Sequence, residues 1–385
     1  MKILLLAPHP FFQERGTPIA VDLLIRTLAH LGHSIDVLTY PEGETRDYGP
    51  RVRLFRIAAP AGCRHIRPGF SIKKLRCDFR MMPHARRLVR ENHYDHIHAV
   101  EESAFMAYRL HRETGIPYTF DMDSSMPRQI ADKLPLARPF LPLMHAVQRP
   151  VIRAAAAVLP VCDSIAEEAR SAGARRIEIL RDISLLPADL PYDPAKGFRA
   201  GPPPISGVTL LYIGNLEPYQ GIGLLLEAFA RVAPQAPEAT LVIVGGRPDD
   251  LQTCRTRLHE LQIEDRVHLL GPRPVADMAH LFHDADILLS PRTQGENTPM
   301  KIYSYLDSSR PIVATDLPTH TQVLDSTVAE LAPPQPAPFA EAMLRLIRDP
   351  DRRLRLATAA KARAQARHTL PAFEATLASL YPPVR

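Results

Sequence analysis

The sequence predicts an α/β fold made of two successive parallel sheets, because short apolar runs alternate with helical stretches in two separate series. A proline-rich interruption lies between the series. In the second series each predicted strand ends on Gly, Pro, Ser or Asp, as expected for short loops at the carboxyl edge of a sheet. Ligands of open α/β sheets bind outside that edge.

The first series begins with residues 2–7 (KILLLA), a short apolar run typical of a buried strand. After the loop PHPFFQERGTP, residues 19–32 have helical periodicity that Gly32 ends, and residues 33–40 form the next predicted strand. This strand–helix–strand unit is the usual start of a parallel sheet. Further strands are predicted at residues 52–57, 95–100, 118–120 and 157–161.

Residues 185–206 hold six prolines and little periodicity, which is typical of an inter-domain linker. The alternation then restarts, with strands predicted at residues 208–213, 239–244, 266–270, 285–290 and 311–315. The tail, from about residue 338 to 381, is helical by composition and period. The chain therefore predicts two Rossmann-like halves that face each other across a cleft, and that cleft is the expected ligand site.

Composition excludes several classes of function. Cys63, Cys77, Cys162 and Cys254 lie far apart, without metal-ligand spacing, and indicate reduced thiols in a cytoplasmic protein. The opening MKILLLAPHP is too short and proline-rich for a secretory signal, and no window approaches eighteen unbroken apolar residues. No G-x-G-x-x-G follows a predicted strand, which argues against a dinucleotide-dependent enzyme.

Residues 64–90 form a basic stretch with nine Lys or Arg and a single acid, Asp78. Apolar side chains are interleaved with these cations. Such a stretch is typical either of a peripheral contact with an anionic membrane surface or of an ordinary helix with one solvated and one buried face. Nucleic acid is not an expected partner, because no known binding motif accompanies the charge.

Nearly the whole chain resembles a GT-B glycosyltransferase of family 4, whose members are retaining and depend on nucleotide sugars. In the first half the resemblance rests on the PHPFFQERGTP loop, GHSIDVLT and DHIHAV. In the second half it rests on LLYIGNLEPYQGIGLLLEAFA, VHLLGPRPVADMAHLFHDADILLSP and ENTPMKIYSYLDSSRPIVATD. It implies an acceptor-side domain at residues 1–190, a nucleotide-sugar domain at 207–368, and a helix at 369–385 that crosses back to the first domain.

The family usually has a Glu, seven residues, and a second Glu; the first faces the transferred sugar and the second binds the ribose. Here Glu296 matches the first position, and Ser304 stands at the second. By resemblance Glu296 is a catalytic-site residue that accepts hydrogen bonds from sugar hydroxyls. A serine hydroxyl at 304 is a weaker acceptor than a carboxylate.

The family also often has an Arg and a Lys on the donor diphosphate, and here Asn215 and Gln220 stand at those positions. Arg292 and Lys301, which flank the Glu296 loop, are expected to supply the missing positive charge. Thr298 and Pro299 predict a helix start, with Thr298 as N-cap and the free amide of Met300 directed at the diphosphate.

Other positions are expected at the donor through the same resemblance. They are Asn297 in the Glu296 loop, Gly16 in the first loop, Gly246 and Arg273. On the acceptor side His98 is a second catalytic candidate, with a structural histidine as the alternative. Asp121 and Asp123 are expected to contact sugar or acceptor or to cap the following helix; a metal is not expected, because no third ligand is evident.

These observations predict a hexosyltransferase that moves a sugar from a nucleotide-diphosphate donor to an acceptor alcohol, without a cofactor or metal. A glycan or lipid-linked acceptor in envelope polysaccharide assembly, met at the inner face of a membrane, suits the basic stretch. The losses at Asn215, Gln220 and Ser304 leave open a GT-B scaffold that no longer turns over and serves as a partner subunit. A sugar-nucleotide epimerase of this fold is a third reading, for which no acid–base carboxylates are apparent.

Overall fold

The structure is a computed structural model that describes residues 1–66, 71–187, 190–199, 201 and 204–383, without the side chain of Lys133. Arg67 and Phe70 of the basic stretch, and five residues of the predicted linker, lie outside the described residues. The chain divides into two compact units. Unit 1 comprises Met1–Arg181 and Pro371–Arg385, and unit 2 comprises Asp182–Leu370.

Unit 1 contains a sheet of six parallel strands in the order β3-β2-β1-β4-β5-β6. The strands are β1 Lys2–Ala7, β2 Ser34–Thr39, β3 Val52–Arg56, β4 His96–Val100, β5 Tyr118–Met122 and β6 Ala157–Pro160. The helices are α1 Gly16–His30, α2 Ile72–Glu91, α3 Ser103–Thr114, α4 Met126–Lys133, α5 Leu141–Ala154 and α6 Asp163–Ala172. A 3₁₀ helix, Pro135–Phe140, joins α4 to α5.

Unit 2 contains a second sheet of six parallel strands, in the order β12-β11-β10-β7-β8-β9. Its strands are β7 Val208–Ile213, β8 Ala239–Val244, β9 Val267–Gly271, β10 Ile287–Ser290, β11 Ile312–Thr315 and β12 Glu330–Ala332. Its helices are α7 Ile222–Val232, α8 Pro248–Leu261, α9 Met278–Asp284, α10 Lys301–Asp307, α11 Pro318–Thr321, α12 Pro336–Arg348 and α13 Pro350–Arg367. Helix α14, Leu370–Leu380, returns the chain to unit 1.

The core of each unit follows from helices that bury one face against fully apolar strands. Strand β1 buries Ile3 to Ala7 completely, as a central parallel strand must when helices cover both faces of the sheet. In unit 2, α7 buries Leu225, Phe229 and Val232, which share one face at helical spacing. The predicted α/β fold with two Rossmann-like units is confirmed.

The strand order reverses beside the first strand of each sheet. In unit 1 the first strand, β1, lies between β2 and β4; in unit 2 the first strand, β7, lies between β8 and β10. The loops after β1 and β4, and after β7 and β10, therefore diverge to opposite faces and leave a crevice at the carboxyl edge. Ligand-binding groups are therefore expected in these four loops.

The predicted elements differ from the structure in a few places. The short edge strand β12 was not predicted, because three residues give too little alternation to detect. The tail, predicted to be helical, consists of three helices, with breaks at Asp349 and around residue 368. Within the described part of the chain, no helix combines the length and apolarity that crossing a bilayer requires.

Candidate functional site

The loop after β10 in unit 2 is organised around the side chain of Arg292. Its guanidinium is largely buried and donates to the carbonyl of Gln294 at 2.7 Å, the carbonyl of Asn297 at 3.0 Å and the side-chain oxygen of Asn297 at 3.0 Å. Gly295 has a φ of +114°, and a Cβ there would meet the guanidinium. Arg292 and Asn297 thus fix the backbone that carries Glu296.

Side chains from the end of β11 and from the region of α11 hold the same loop from its other side. Thr315 donates to the carbonyl of Arg292 at 2.5 Å, and Thr319 donates to the carbonyl of Asn297 at 2.7 Å. The amide of Gln322 donates to the carbonyl of Glu296 at 2.7 Å. The Glu296 side chain is half-buried. The sequence pattern did not predict these three supports, since they come from a neighbouring strand and helix.

Lys301 carries a positive charge to the end of β7. Its Nζ donates to the carbonyl of Ile213 at 3.1 Å and lies 4.1 Å from the ring centroid of Tyr212. A Cβ on Gly214 would lie 3.3 Å from this amine, so the amine rests against the Gly214 turn. Burial, aided by the charge of Arg292, lowers the pKa of Lys301 to about 7.

The turn after β7 brings Asn215 and Gln220 to the same edge. A Cβ on Gly245, where φ is +117°, would lie 2.0 Å from the carbonyl of Gly214, so the loops after β7 and β8 approach as only glycine permits. Asn215 is exposed and its side-chain oxygen accepts from the Glu217 amide at 3.3 Å. Gln220 is buried, and among the described residues nothing bonds its side-chain oxygen.

The helix after the Glu296 loop starts later than the sequence predicts. Helix α10 begins at Lys301 with Met300 as N-cap and no capping side chain, so the prediction of Thr298 as N-cap is wrong. The Ile302 amide instead donates to the carbonyl of Pro299 in a tighter turn. The Thr298 hydroxyl is buried, and no described group bonds it. A buried hydroxyl without a partner is a group that a ligand can satisfy.

Ser304 lies on the inner face of α10 and is completely buried. Its Oγ accepts from the backbone amide of Leu185 at 3.1 Å, so the hydroxyl fastens the segment that leads into β7. The hydroxyl keeps a donor and a second lone pair, but because the side chain is completely buried, a ribose contact by Ser304 requires neighbouring groups to move. At the position where the family usually has an acid, this chain therefore has a serine that bonds a backbone amide of the same unit.

The remaining donor candidates lie at loops of the two sheets. Gly246 follows β8 with a φ of +86° and packs against Leu216, and Arg273 is exposed beyond β9. Gly16 is the first residue of α1 in unit 1 and is exposed, with open space where a Cβ would stand.

His98 in unit 1 has protein partners at both ring nitrogens. Nδ1 lies 2.8 Å from the Tyr381 hydroxyl and Nε2 lies 3.1 Å from a carboxylate oxygen of Asp121, and the ring is completely buried. Tyr381 directly follows α14, so His98 ties the C-terminal helix to the sheet. This geometry favours the structural alternative for His98. Asp121 is buried at the end of β5, and Asp123 is half-buried one residue beyond it.

Sequence reasoning missed an acidic cluster that follows β4. Glu101 adopts a φ of +51°, which is uncommon for a non-glycine residue, and both its carboxylate oxygens accept from the Ser124 hydroxyl at 2.9 Å. Burial, and next the charge of Glu102, raises the pKa of Glu101 to about 8. The signal was a pair of acids directly after a buried strand, at the edge where ligands bind.

Charged neighbours from α2 meet this cluster. Lys74 forms an ion pair with Glu102, and Asp78 accepts from the Tyr40 hydroxyl at 2.6 Å. Burial, aided by Glu102, raises the pKa of Asp78 to about 7. His9, in the loop after β1, is buried with a pKa lowered by that burial to about 3, and its Nε2 meets no described hydrogen-bond partner.

The described residues include no group of three or more His, Cys, Asp or Glu side chains arranged to hold a metal ion.

Both halves of the chain match models of glycosyltransferase families. Residues 15–181 match the "Glycosyl transferase 4-like domain", and residues 207–349 match "Glycosyl transferases group 1". A phosphatidyl-myo-inositol mannosyltransferase of Mycobacterium tuberculosis is 31% identical over 144 residues, 37% of each chain. The match thus spans well under half of that relative. An alpha-D-kanosaminyltransferase of Streptomyces kanamyceticus is 26% identical over 72% of this chain and 74% of its own.

Solved structures share the fold across the whole chain. A sucrose-phosphate synthase of Thermosynechococcus elongatus superposes with a TM-score of 0.78 at 18% identity, covering 99% of this chain and 98% of its own. HepE of Anabaena, solved in complex with UDP-glucose, superposes with a TM-score of 0.72 at 17% identity over all of both chains. Together with the two family matches, these comparisons place the chain in glycosyltransferase family 4, with the GT-B fold.

Proposed function

We propose that the protein is a retaining hexosyltransferase that transfers a sugar from a nucleotide-diphosphate donor bound by unit 2 to an acceptor alcohol. The observation that carries the proposal is the position of the Lys301 amine, held against the turn after β7 at the crevice of the sheet. At the two positions where the family often has cations, this chain has the neutral residues Asn215 and Gln220. Lys301 brings a charge to the same turn from a different element.

Departure of the nucleotide builds negative charge on the diphosphate, so a cation placed there lowers the barrier. Gln220 and Thr298 add buried side-chain oxygens that no group in the described part of the chain bonds. The amides of Met300 and Lys301, at the turn into α10, are further candidates, and Glu296, on its fixed loop, is proposed to accept hydrogen bonds from sugar hydroxyls. A donor ribose contact by Ser304, and nucleobase contacts at Gly246 and Arg273, are proposed by family likeness.

In the proposed reaction the bond from the sugar's anomeric carbon to the diphosphate oxygen breaks, and the acceptor oxygen bonds to that carbon on the same face. The acceptor's proton passes to the departing diphosphate oxygen, so no protein base is required. Retention is proposed from family membership. The anomeric coupling constant of the product, measured by NMR, tests it, and an inverted product contradicts it.

The acceptor hydroxyl is proposed to bind at the carboxyl edge of unit 1. Asp121 and His9 supply buried polar groups there, the half-buried Glu101 adds a carboxyl group, and Gly16 lies at the start of α1, after the β1 loop. His98 is proposed as a positioning residue, because its Nε2 contacts the carboxylate of Asp121 and is not free to contact an acceptor.

A membrane-linked acceptor is supported by exposed apolar side chains on two basic segments. Helix α2 exposes Ile72, Leu75 and Phe79 beside Arg76 and Arg80, and Phe79 is 78% exposed. The segment from Leu134 to Val147 exposes five further large apolar side chains, of which Leu136 is 92% exposed. Residues 133–162 contain four Lys or Arg and no acid.

Both segments belong to the same region of unit 1. Right-handed crossovers from β3 to β4 and from β5 to β6 advance in the same direction, so α2 and α5 cover the same face of the sheet. Each runs back from the carboxyl edge, which places their first turns at that edge. Apolar side chains among cations match the interface of an anionic lipid layer, so we propose a peripheral site at the inner face of a membrane.

A thermal-shift screen with nucleotide-diphosphate sugars tests the donor proposal, because a ligand that binds only the native state raises the melting temperature. We expect one nucleotide class to raise it and Lys301→Met to reduce the shift. Absence of any shift in the wild-type chain contradicts the proposal.

The alternative of a scaffold without turnover is favoured by the changes at Asn215, Gln220 and Ser304. Slow hydrolysis of the bound donor separates the two functions. We expect hydrolysis that Glu296→Gln reduces; binding of the donor without hydrolysis or transfer identifies the scaffold.

A further inference from the structure

Unit 1 contains a cavity of about 500 Å³ bounded by α4, α5 and α6. Its lining includes Arg128 from α4, His145, Gln148 and Arg149 from α5, and Glu167 and Glu168 from α6. The volume is within the range of small-molecule sites. None of these residues belongs to the acidic cluster after β4 or to the loops of unit 2.

Buried polar atoms without partners mark one wall of this cavity. Gln148 is 1% exposed, yet within the described structure neither its side-chain oxygen nor its nitrogen has a hydrogen-bond partner. One carboxylate oxygen of Glu168, Oε2, is likewise buried without a hydrogen bond. Leaving such groups unsatisfied costs about 1–3 kcal/mol each, so each one calls for an explanation.

The neighbours of Glu168 hold its carboxylate in place. Oε1 accepts from the Ser125 hydroxyl at 2.9 Å and lies 3.6 Å from Nδ1 of His145. Oε2 is 3.5 Å from Nε of Arg128, close enough for attraction but without a hydrogen bond. The acceptor is therefore fixed in position before a ligand arrives, which reduces the entropy that binding costs.

The chemistry of the lining selects a neutral ligand rich in hydroxyl groups. Glu167 and Glu168 balance the charges of Arg128 and Arg149, so neither an anion nor a cation is favoured. An amide offers both a donor and an acceptor, and a carboxylate beside a guanidinium offers the same pair again. Adjacent hydroxyls of a sugar ring donate and accept in this pattern.

We propose that the cavity between α4, α5 and α6 is a second carbohydrate-binding site, which takes one or two neutral sugar rings through Gln148 and Glu168. The site lies in unit 1, whereas the proposed donor site lies in unit 2. Its occupant is a sugar without a nucleotide, such as part of a glycan chain. Binding there does not depend on turnover.

Saturation-transfer NMR and calorimetry on the full chain, with glucose, galactose, mannose and their disaccharides as probes, test this site. We expect saturable binding of at least one neutral sugar, also in the presence of saturating nucleotide diphosphate. Gln148→Met keeps the side-chain length and removes the hydrogen bonds, and is expected to weaken sugar binding about tenfold or more. Gln129→Met, on the exposed side of α4, is the matched control and leaves binding unchanged.

Ala146→Phe supplies a second test that leaves the buried polar groups intact, since Ala146 lines the cavity and is exposed. It is expected to block the sugar while nucleotide binding persists. The proposal is overturned if the wild-type chain binds no sugar. It is also overturned if the Gln148→Met and Ala146→Phe variants bind sugar as tightly as the wild-type chain does. Binding of inorganic phosphate that competes with the sugar overturns the assignment to a neutral ligand. If the donor proposal were wrong, the nucleotide titration would show no binding, and the sugar titrations would be unaffected.

Discussion

Single residues at the two sheet edges have protonation states set by their surroundings. The Lys301 amine has a pKa lowered to about 7 by burial, while burial and Glu102 raise the pKa of Glu101 to about 8. Perturbed groups of this kind cluster at functional sites, because a site must desolvate charges to use them. Each gives a prediction with a defined sign.

Binding of a nucleoside diphosphate is expected to add a proton to Lys301 at pH 8. The free amine is mostly neutral there, because burial and the charge of Arg292 disfavour its charged form, and a diphosphate reverses that preference. Calorimetry in two buffers of different ionisation enthalpy measures the uptake, which should approach one proton. Affinity should fall about tenfold per pH unit once pH exceeds 7.

Lys301→Met should remove the pH dependence of binding, and an unchanged proton uptake in this variant contradicts the assignment. The same pKa implies that the free energy of unfolding rises as pH increases from about 7 towards the unfolded pKa of about 10.4, because the unfolded chain then holds the extra proton.

Glu101 is expected to make the protein less stable as pH rises from 5 to 8. Its folded pKa exceeds its unfolded value, so over this range the folded state holds a proton that the unfolded chain has already lost. Lys74, Glu102, Asp121 and Ser124 face the carboxyl and set this pKa. After discounting for partial exposure, the loss is about 1–3 kcal/mol.

Urea denaturation at pH 5 and pH 8 measures this effect, with Glu101→Gln as the comparison. The variant should lose most of the dependence between these pH values. An equal slope in both proteins would assign the dependence to other groups.

At the scale of elements, the approach of the turn before α7 to the loop after β10 sets the shape of the proposed donor site. Gly221 has a φ of +77°, and a Cβ there would lie 1.9 Å from the carbonyl of Pro291. Thr293 donates to the carbonyl of Tyr219 at 2.9 Å across the same contact. The turn and the loop therefore move as one piece.

Gly221→Ala should destabilise the protein by about 2–4 kcal/mol, because strain at positive φ adds to a backbone clash. Donor affinity should fall as well, since the loop after β10 shifts. Gly223→Ala is the control: nothing lies within 4 Å of its Cβ, and alanine in α7 should stabilise by about 0.5–1 kcal/mol. Chemical denaturation measures both, and similar values for the two variants contradict the packing argument.

The exposed apolar residues of α2 and of the 134–147 segment predict a salt-sensitive attachment to anionic vesicles. Phe79→Ser combined with Leu136→Ser should weaken binding to phosphatidylglycerol vesicles at least about tenfold, because each side chain contributes about 1.5–3 kcal/mol when buried. Co-sedimentation at low and moderate salt measures it.

Leu354→Ser is the matched control for vesicle binding, since Leu354 is an exposed apolar residue on α13 of unit 2. It should bind as the wild-type chain does. If the wild-type chain does not sediment with anionic vesicles even at low salt, the proposed membrane contact is wrong.

For the whole molecule, the C-terminal helix is part of the first unit although it follows the second in sequence. Tyr381 is completely buried, contacts His98 through its hydroxyl and packs edge-on against His96 with ring centroids 5.3 Å apart. Arg176 also donates to the carbonyl of Ser379 at 3.1 Å. The last helix thus packs as part of the same unit as the first 181 residues.

Tyr381→Ala should destabilise unit 1 by about 3–5 kcal/mol, in line with large-to-small changes at buried aromatic residues. Tyr381→Phe keeps the ring and loses a hydrogen bond worth about 1 kcal/mol. Hydrogen exchange should show faster amide exchange in β1 and β4 and unchanged exchange in β7 and β10. A uniform loss of protection across both units contradicts a local role for α14.

The sequence by itself determined the alternation of strands and helices, because burial on both faces demands continuous apolar runs that are visible in one dimension. Strands β1, β7 and β8 begin and end at the predicted residues. The Glu296 loop was also predicted, through its resemblance to a family pattern. The local sequence pattern was sufficient to predict an element wherever its stabilising interactions come from residues close together along the chain.

Only the tertiary structure decided which partner each polar group found. The hydroxyl of Ser304 accepts from Leu185, Lys301 reaches the end of β7, and Tyr381 meets His98, over separations of 119, 88 and 283 residues. Such contacts leave no periodic signal, because they depend on strand order and loop approach rather than on adjacent residues. The proton affinities of Glu101 and Lys301 follow from the same packing, since desolvation exists only once the chain has folded.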